Sequence, residues 1–167
     1  DINLETDFLP LILKGEDVGI ISEAGLPCVA DPGSEIVKYA HDFEIKVVPL
    51  VGPSSIFLAL MASGLNGQHF VFHGYLPIDK KERERKIKQM ENDSRKWNQT
   101  QIFMETPYRN HQLYDAILKY SSKNAKLCIA TDITLSSEII KTMSVEQWKQ
   151  TKINIHKKPT IFLLQAK

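Results

Sequence analysis

One construction constrains this chain more than any other feature: an apolar segment runs into a turn that ends in proline, three times. The copies are VGIISEAGLPCVADPG (18–33), KVVPLVGPSS (46–55) and TQIFMETPYR (100–109). An amphipathic stretch follows each proline, whose fixed φ suits a first helical position. Asp31 and Thr106 precede two of these prolines, where a side-chain oxygen is placed to cap the helix. Three strand ends that lead into helices predict an α/β fold with a small-molecule site at those ends.

Composition places the chain among ordinary globular proteins. It has 167 residues, of which 43% are hydrophobic and 25% charged, and its formal net charge is +1. Such a balance neither indicates nor excludes a nucleic-acid partner. No apolar run approaches the ~18 residues of a membrane span, and no signal peptide is recognisable. We expect a cytoplasmic protein in which Cys28 and Cys128 are reduced packing residues.

Hydrophobic spacing and turn residues predict the order of the elements. Helices are predicted at residues 4–15, 31–43, 53–63, 79–96 and 107–120. Strands are predicted at 17–25, 44–52, 67–77, 100–106, 125–134 and 159–167, with a mixed segment at 137–150. The last strand is a candidate for a sheet edge. The 79–96 helix is highly charged, and we expect a solvated face with ion pairs four residues apart.

These elements suggest two small α/β lobes with a ligand cleft between them, residues 1–66 and residues 67–167. In the first lobe, alternating strands and helices favour a parallel sheet. In the second, mixed connections favour a mixed sheet. The first lobe has only two clear strands, and two strands make a poor sheet. We therefore expect either that a second copy completes this lobe or that residues that normally precede Asp1 are missing.

The first turn is the strongest candidate for ligand binding. Gly25 and Gly33 permit positive φ and a close approach of a ligand to the backbone, while Pro27 and Pro32 stiffen the loop. A plain connection between a strand and a helix needs only about two to six residues. Because this loop is longer and doubly constrained, a binding role is favoured over a simple connection.

The other two turns leave alternatives open. Ser54 and Ser55 lie in a first helical turn, whose free N–H groups would receive a ligand carboxylate or hydroxyl; a helix start without a ligand is equally compatible. In the third turn, Arg109 either pairs with Glu105 and braces the chain, or contacts a ligand beside Tyr108.

Familiar catalytic motifs are missing from the sequence. The five histidines show no metal-binding spacing, so no metal site is expected, and neither GxGxxG nor GxxxxGK[ST] occurs. No GxSxG nucleophile motif supports a hydrolase. A group-transfer enzyme whose cofactor carries the reactive centre would need none of these motifs.

Together, SEAGLPCVADPG, VVPLVGPSSIFLALMASGLNGQHFVFHGYLP and METPYR resemble the tetrapyrrole methylase superfamily, the class III S-adenosylmethionine-dependent methyltransferases. The likeness runs from about residue 18 to 112 and is strongest to the branch that methylates ribosomal RNA. It implies two α/β domains, a homodimer, S-adenosyl-L-methionine as cofactor, and direct in-line methyl transfer. Carried over by position, the donor site comprises Gly25, Leu26, Pro27, Ser54, Ser55, Met104, Glu105, Ala130, Thr131, Pro159 and Thr160.

Departures from the family pattern concern the acceptor. The ribosomal branch has E-L-T-K-x-F-E where this chain reads DITLSSE (132–138), so a lysine is lost, and KKPTIF replaces a K-G-E-F run. The resemblance therefore implies a donor site more strongly than an RNA site, and no catalytic base is identified. We expect methylation of ribosomal RNA at a ribose 2′-hydroxyl. The alternatives are a tetrapyrrole C-methyltransferase of the uroporphyrinogen or precorrin type and a non-catalytic S-adenosylmethionine-binding protein.

The charged helix offers a way to separate these acceptors. Five basic residues lie within two turns of it: Lys80, Lys81, Arg83, Arg85 and Lys86. If the basic side of this helix faces the mouth of the crevice, RNA is favoured as the acceptor; if it points outward, a tetrapyrrole or no acceptor is favoured.

Overall fold

The computed structural model describes residues 4–167. Contacts divide the chain into two compact units, the first ending at Ser54 and the second beginning at Ser55. The predicted domain boundary, between residues 66 and 67, stays a prediction. The compact units divide earlier because the helix that follows Ser54 packs on the sheet of the second unit.

Helices are the regular structure of the N-terminal unit. A π-helical turn, Leu4–Phe8, leads into α1 (Leu9–Leu13), and α2 spans Ser34–Asp42. The helix predicted at 4–15 is confirmed. Pro10 fits because it lies in the first turn of α1, where its missing N–H has no helical partner.

The two strands predicted at 17–25 and 44–52 are wrong. Within the described residues 4–54 no β-strand forms, and the expected parallel sheet of this unit is therefore not found either. Apolar side chains of both segments face solvent, with Ile21 91% and Leu50 84% exposed. The reason is that an apolar segment becomes a strand only beside a neighbour that accepts its backbone hydrogen bonds.

The start of α2 also differs from its prediction. Asp31 does not cap this helix, and Pro32 is not its first residue: α2 begins at Ser34, after Gly33, with no side-chain cap. Left-handed backbone at Cys28 (φ 67°) and Ala30 (φ 56°) keeps the chain turning before the helix starts.

The C-terminal unit contains a mixed sheet, as predicted; the sheet has five strands, one of which lies in the segment that was predicted only as mixed. Its elements are α3 (Ser55–Ser63), β1 (Phe70–Tyr75), α4 (Lys80–Trp97), β2 (Thr100–Met104), a 3₁₀ turn (Pro107–Arg109), α5 (Asn110–Tyr120), β3 (Lys126–Thr131), β4 (Ile139–Ser144), α6 (Val145–Lys149) and β5 (Thr160–Gln165). Pro107 opens the 3₁₀ turn as the sequence predicts, but Thr106 contributes no side-chain cap.

The strand order is β1-β2-β5-β3-β4, so the last strand of the chain lies at the centre of the sheet. The edge position considered for it is wrong. Strand β5 runs antiparallel to both β2 and β3, whereas β1 and β2 are parallel. All six residues of β5 are buried, which explains the unbroken apolar run TIFLL: a strand covered on both faces needs no polar alternation.

Helices cover both faces of this sheet. On one face Trp148 of α6 and Leu113 of α5 pack with Phe103 and Phe162. On the other, α3 packs Ile56, Ala59 and Leu60 against Cys128 and Ile161. Both cysteines are free thiols, as predicted, and burial raises the pKa of Cys128.

Helix α4 is less solvated than its charge suggests. Ile87 and Met90 are completely buried in the core, and Arg83 is only 6% exposed. The predicted ion pairs are confirmed between Lys88 and Glu84 and between Arg95 and Glu91. Among the described residues, no helix is both long and apolar enough to cross a lipid bilayer.

Candidate functional site

The ends of β2 and β3 and the start of β5 meet at one edge of the sheet, which we call the carboxyl edge. They meet because β5 is antiparallel to both neighbours: Ile161 lies opposite Met104 on one side and Ala130 on the other. Thr131 lies opposite Thr160. The fold thus brings together six residues that the sequence placed in the donor site, namely Met104, Glu105, Ala130, Thr131, Pro159 and Thr160.

Glu105 is the best-defined polar group of the carboxyl edge. Its Oε1 accepts hydrogen bonds from Arg109 Nη2 at 2.7 Å, from Arg109 Nε at 3.0 Å and from the Thr106 N–H at 2.7 Å. The carboxylate is buried, yet no donor in the described part of the chain reaches Oε2. Arg109 therefore braces the turn, the first of the two alternatives, and leaves Oε2 as an acceptor that a ligand donor would satisfy.

A chain of hydrogen bonds crosses from α5 to the start of β5. Asn110 Nδ2 donates to Thr160 Oγ1 at 3.2 Å, and Thr160 Oγ1 lies 3.0 Å from Thr131 Oγ1. Thr131 Oγ1 in turn donates to the Pro159 carbonyl at 3.2 Å. Both hydroxyls and the amide are buried. Because each member is held by the next, the start of β5 is positioned by the end of β3 and by α5.

An ion pair lies just beyond this network. Lys158 Nζ donates to Asp132 Oδ2, and Ser137 Oγ donates to the same oxygen at 2.9 Å. The Lys158 hydrogen bond, followed by that of Ser137, lowers the pKa of Asp132. Asp132 also has left-handed backbone (φ 52°) and donates its N–H to the Pro159 carbonyl. These contacts fix the loop that follows β3 against the segment that precedes β5.

The donor-site residues predicted in the N-terminal unit lie on two neighbouring loops. Gly25 has positive φ (75°), as its prediction required. A Cβ added at Gly52 would lie 3.0 Å from Leu26 Cδ2, so the Leu26 side chain packs on the Gly52 backbone. The structure thus brings the loop of Gly25, Leu26 and Pro27 next to the turn that carries Ser54. Ser54 is buried, whereas Ser55 is exposed at the first residue of α3.

The basic residues of α4 and the histidines of the β1 region lie elsewhere in the C-terminal unit. Of the five basic residues of α4, Arg83 is buried, whereas Lys80, Lys81 and Arg85 are exposed. His73 Nε2 lies 2.6 Å from Gln101 Oε1, while His69 precedes β1 and bonds the Trp97 carbonyl. Within residues 4–167, no three His, Cys, Asp or Glu side chains are grouped to hold a metal ion.

Sequence reasoning missed Asn110, Asp132 and Lys158. Asn110 Nδ2 also donates to the carbonyls of Ile155 and Lys158, at 3.0 and 2.7 Å. Its partners are 45 to 50 positions away in the chain. The local signal was a single polar residue at the start of an amphipathic helix, which does not indicate such partners.

The class of protein follows from comparison with known families and structures. Two solved methyltransferase structures share the fold: CobJ, with a TM-score of 0.62 over 95% of this chain and 68% of that one, and the cobalt precorrin-4 methyltransferase CbiF, with 0.55 over 84% and 61%. Both are 14% identical to this chain. A sequence model of the tetrapyrrole (corrin/porphyrin) methylases matches residues 5–148. The chain belongs to this family.

Curated relatives narrow the likeness within the family. Ribosomal RNA small subunit methyltransferase I of Vibrio cholerae is 33% identical over 136 residues, which are 81% of this chain and 46% of that protein. The protein of the same name from Streptococcus pyogenes serotype M6 is 41% identical over 106 residues, 62% of this chain and 34% of that protein. The chain thus spans about half the length or less of the curated relatives it matches.

Proposed function

We propose that this chain forms part of an S-adenosylmethionine-dependent methyltransferase that acts on ribosomal RNA at a ribose 2′-hydroxyl. Family membership supports the methyltransferase class, and the names of the curated relatives support the RNA acceptor. The observation that carries the proposal is the buried, unpartnered Oε2 of Glu105 at the carboxyl edge. In open α/β sheets, ligands bind at that end of the strands.

The residues of the carboxyl edge suit this donor. S-adenosylmethionine presents amine, ammonium and hydroxyl donors, and a buried carboxylate oxygen without a partner is an acceptor for one of them. Met104, which is partly exposed, and Pro159, which is exposed, offer apolar surface at the carboxyl edge, whereas Ala130 is completely buried beneath it. Ser55, Thr131 and Thr160 complete the set proposed for the C-terminal unit. The assignments of Gly25, Leu26, Pro27 and Ser54 stay predictions.

The chemistry requires positioning more than side-chain acids or bases. The donor, when bound, supplies a methyl group activated by its sulfonium sulfur. The protein's part is to hold donor and acceptor in line and to exclude water. Arg109 keeps the Glu105 carboxylate in one orientation through its two hydrogen bonds. The Asn110–Thr160–Thr131 hydrogen bonds fix the backbone at the start of β5.

The first test is calorimetric titration of the chain with S-adenosylhomocysteine, the product form of the donor. Glu105→Gln keeps the size of the side chain but replaces the free acceptor by an amide N–H₂. We expect affinity to fall at least about tenfold, because a hydrogen bond to a buried charged group contributes about 1.5–3 kcal/mol.

Glu91→Gln is the matched control. Glu91 is also a buried glutamate that pairs with an arginine four residues on and accepts a backbone N–H, from Ser122. It lies on α4, away from the carboxyl edge, so its substitution is expected to leave the affinity unchanged. Equal losses in both variants would contradict the assignment of Glu105, and a flat titration of the wild-type chain would contradict the donor site.

The acceptor is tested separately by methyl transfer from labelled S-adenosylmethionine. Small-subunit ribosomal RNA and uroporphyrinogen are offered in parallel, with release of labelled methyl to water as the blank. The proposal is supported if ribosomal RNA becomes labelled and if the same RNA with its ribose 2′-hydroxyls already methylated does not. Label in the tetrapyrrole would replace the RNA acceptor, and binding of the donor with no transfer would support the non-catalytic alternative.

We also propose that the protein is a cytoplasmic homodimer. Several apolar side chains of the N-terminal unit face solvent, among them Ile21 and Leu50. Contiguous exposed apolar surface marks association sites, and the neighbouring exposed residues Leu50 and Val51 are candidates for such a surface. Sedimentation velocity tests the proposal: a monomer at all concentrations would contradict it, and Ile21→Glu should shift a dimer towards monomer.

A further inference from the structure

A group of aromatic and basic side chains lies on the surface beside the carboxyl edge. We call Tyr108, His111, His156 and Lys157 the aromatic–basic patch. Tyr108 is 70% exposed. Its ring centroid lies 6.5 Å from that of His156, and His111 stacks on His156 at 6.4 Å. The Lys157 ammonium lies 5.6 Å from the Tyr108 ring centroid. Two separate segments of the chain thus meet to present flat rings and a cation.

The patch is held in place by the backbone. The Lys157 N–H donates to the Pro107 carbonyl at 3.1 Å, which ties its loop to the 3₁₀ turn. Lys157 has left-handed backbone (φ 59°), a conformation that is uncommon and unfavourable for residues other than glycine. Asn110 holds the loop on both sides through the carbonyls of Ile155 and Lys158. A strained residue on a braced loop indicates a preformed contact surface rather than a random arrangement of side chains.

The charge of the patch is available to a partner. Arg109 and Lys158 are neutralised by Glu105 and Asp132. Lys157 differs, since no carboxylate of the described chain lies within ion-pairing distance of its ammonium. An exposed tyrosine face next to an unpaired lysine matches the way proteins bind single-stranded nucleic acid, with a base on the ring and a phosphate on the cation.

Helix α4 fits that role less well than the patch does. Its exposed cations are mixed with Glu82 and Glu84, Lys88 is paired, and Arg83 is buried. The patch also lies nearer to the proposed chemistry, because Tyr108 follows Glu105 by three positions and Lys157 precedes Pro159 by two.

We propose that the aromatic–basic patch binds a single-stranded segment of the RNA acceptor. One unpaired base stacks on Tyr108, and an adjacent phosphate contacts Lys157 and His156. This proposal rests on the proposed function and deepens it, since it names the surface that holds the acceptor strand beside the donor site. Nucleic acid recognised in this way must be unpaired at the contact, because a base within a helix does not offer its face.

The test measures fluorescence anisotropy of a labelled single-stranded RNA of about twelve nucleotides, with the chain saturated by S-adenosylhomocysteine. Tyr108→Ala should weaken binding roughly 5- to 150-fold, while Tyr108→Phe, which keeps the ring, should stay within about twofold. Lys157→Asn removes the charge but suits left-handed backbone. It should lower the dependence of log affinity on log salt by about 0.7, the value for one phosphate of a single strand.

Trp97→Ala is the matched control. Trp97 is also exposed (53%), and the Lys96 ammonium lies 4.7 Å from its ring, but the pair precedes β2 at the opposite end of that strand. Its substitution should leave RNA affinity unchanged. A Tyr108→Ala variant that binds like wild type overturns the proposal, as does an equal loss in Trp97→Ala or an unchanged salt dependence in Lys157→Asn.

The donor titration separates this proposal from the proposed function. A wild-type chain that binds S-adenosylhomocysteine but not the RNA overturns the patch and leaves the donor site standing. RNA binding without donor binding overturns the donor site instead. Melting curves show whether a variant binds RNA weakly because it is unfolded. If Tyr108→Ala is unfolded, the salt dependence of RNA binding by Lys157→Asn decides whether the patch binds RNA.

Discussion

Replacing Asn110 by aspartate should destabilise the C-terminal unit far more than its small chemical change suggests. The substitution keeps the shape of the side chain and exchanges the N–H₂ group for an oxygen. Asn110 is completely buried, and its Nδ2 faces the carbonyls of Ile155 and Lys158 and the hydroxyl of Thr160. Aspartate would direct a lone pair, and when ionised a charge, at the two carbonyl oxygens, which cannot donate a hydrogen bond to it.

The size of the expected stability loss follows from the two hydrogen atoms that Asn110 Nδ2 donates. Each buried hydrogen bond contributes about 1 kcal/mol net, and each acceptor left without a donor costs about 1–3 kcal/mol. We therefore expect Asn110→Ala to lower the free energy of unfolding by about 2–4 kcal/mol. Asn110→Asp should lose more than Asn110→Ala, because a buried carboxylate among carbonyl oxygens adds desolvation and repulsion.

The pH dependence gives this reasoning a second readout. Burial and the facing oxygens should raise the pKa of the introduced carboxyl. When folding raises the pKa of a carboxyl group, the folded state binds the proton more readily than the unfolded state. The protein therefore becomes more stable as the pH falls below the folded-state pKa. Once protonated, the carboxyl can also donate one hydrogen bond. The gap between the alanine and aspartate variants should therefore narrow in acid.

Urea unfolding followed by circular dichroism measures these differences as changes in midpoint at constant slope. Asn66→Asp is the control, because Asn66 donates to the Asn98 carbonyl in a solvent-exposed place. The free energy of unfolding of Asn66→Asp should fall by less than about 1 kcal/mol. An Asn110→Asp variant that unfolds at the wild-type midpoint, or two aspartate variants that lose equal stability, would show that the buried Nδ2 contacts do not stabilise the unit.

Two further predictions concern the C-terminal unit. Ser144→Ala removes a capping box in which Ser144 Oγ accepts the Gln147 N–H and Gln147 Oε1 accepts the Ser144 N–H; the expected loss is about 1 kcal/mol in urea unfolding, and Ser144→Asp should restore most of it. If the Ser144→Asp variant is no more stable than the Ser144→Ala variant, the loss of the helix cap does not explain the loss of stability. Burial, partly offset by the Gln101 hydrogen bond, lowers the pKa of His73 below 6.5. The unfolded chain therefore binds the proton more readily, and stability should fall as pH drops below about 6.5. His73→Asn should flatten that part of the stability–pH curve, and an unchanged slope would show that another group causes it.

Several features of this fold could be predicted from local sequence because their cause is local. The Pro107 turn, the charged helix after Asp79 and the positive φ of Gly25 depend on residues a few positions away. The Glu105–Arg109 pair was one of two stated alternatives, since four residues of a turn bring the side chains together. The same holds for the apolar strands β2, β3 and β5, whose existence follows from their composition.

Features that depend on distant partners could not be predicted in this way. The apolar segments at 17–25 and 44–52 have strand-like composition, but a strand needs a neighbour's backbone, and the described residues offer them none. Asp31 looked like a helix cap, yet the left-handed residues before Gly33 delay the helix.

The residues by themselves determined that β2 ends in a turn rich in candidate ligand contacts, and the family resemblance added Ala130 and Thr131 at the end of β3. Only the tertiary structure decided that the last strand enters the sheet between them, antiparallel to both. That insertion places Thr160 opposite Thr131 and allows Asn110, 50 positions earlier, to bond the start of β5. The physical reason is that register and strand order minimise the free energy of the whole sheet, whereas a local pattern reports only which segments prefer to be strands.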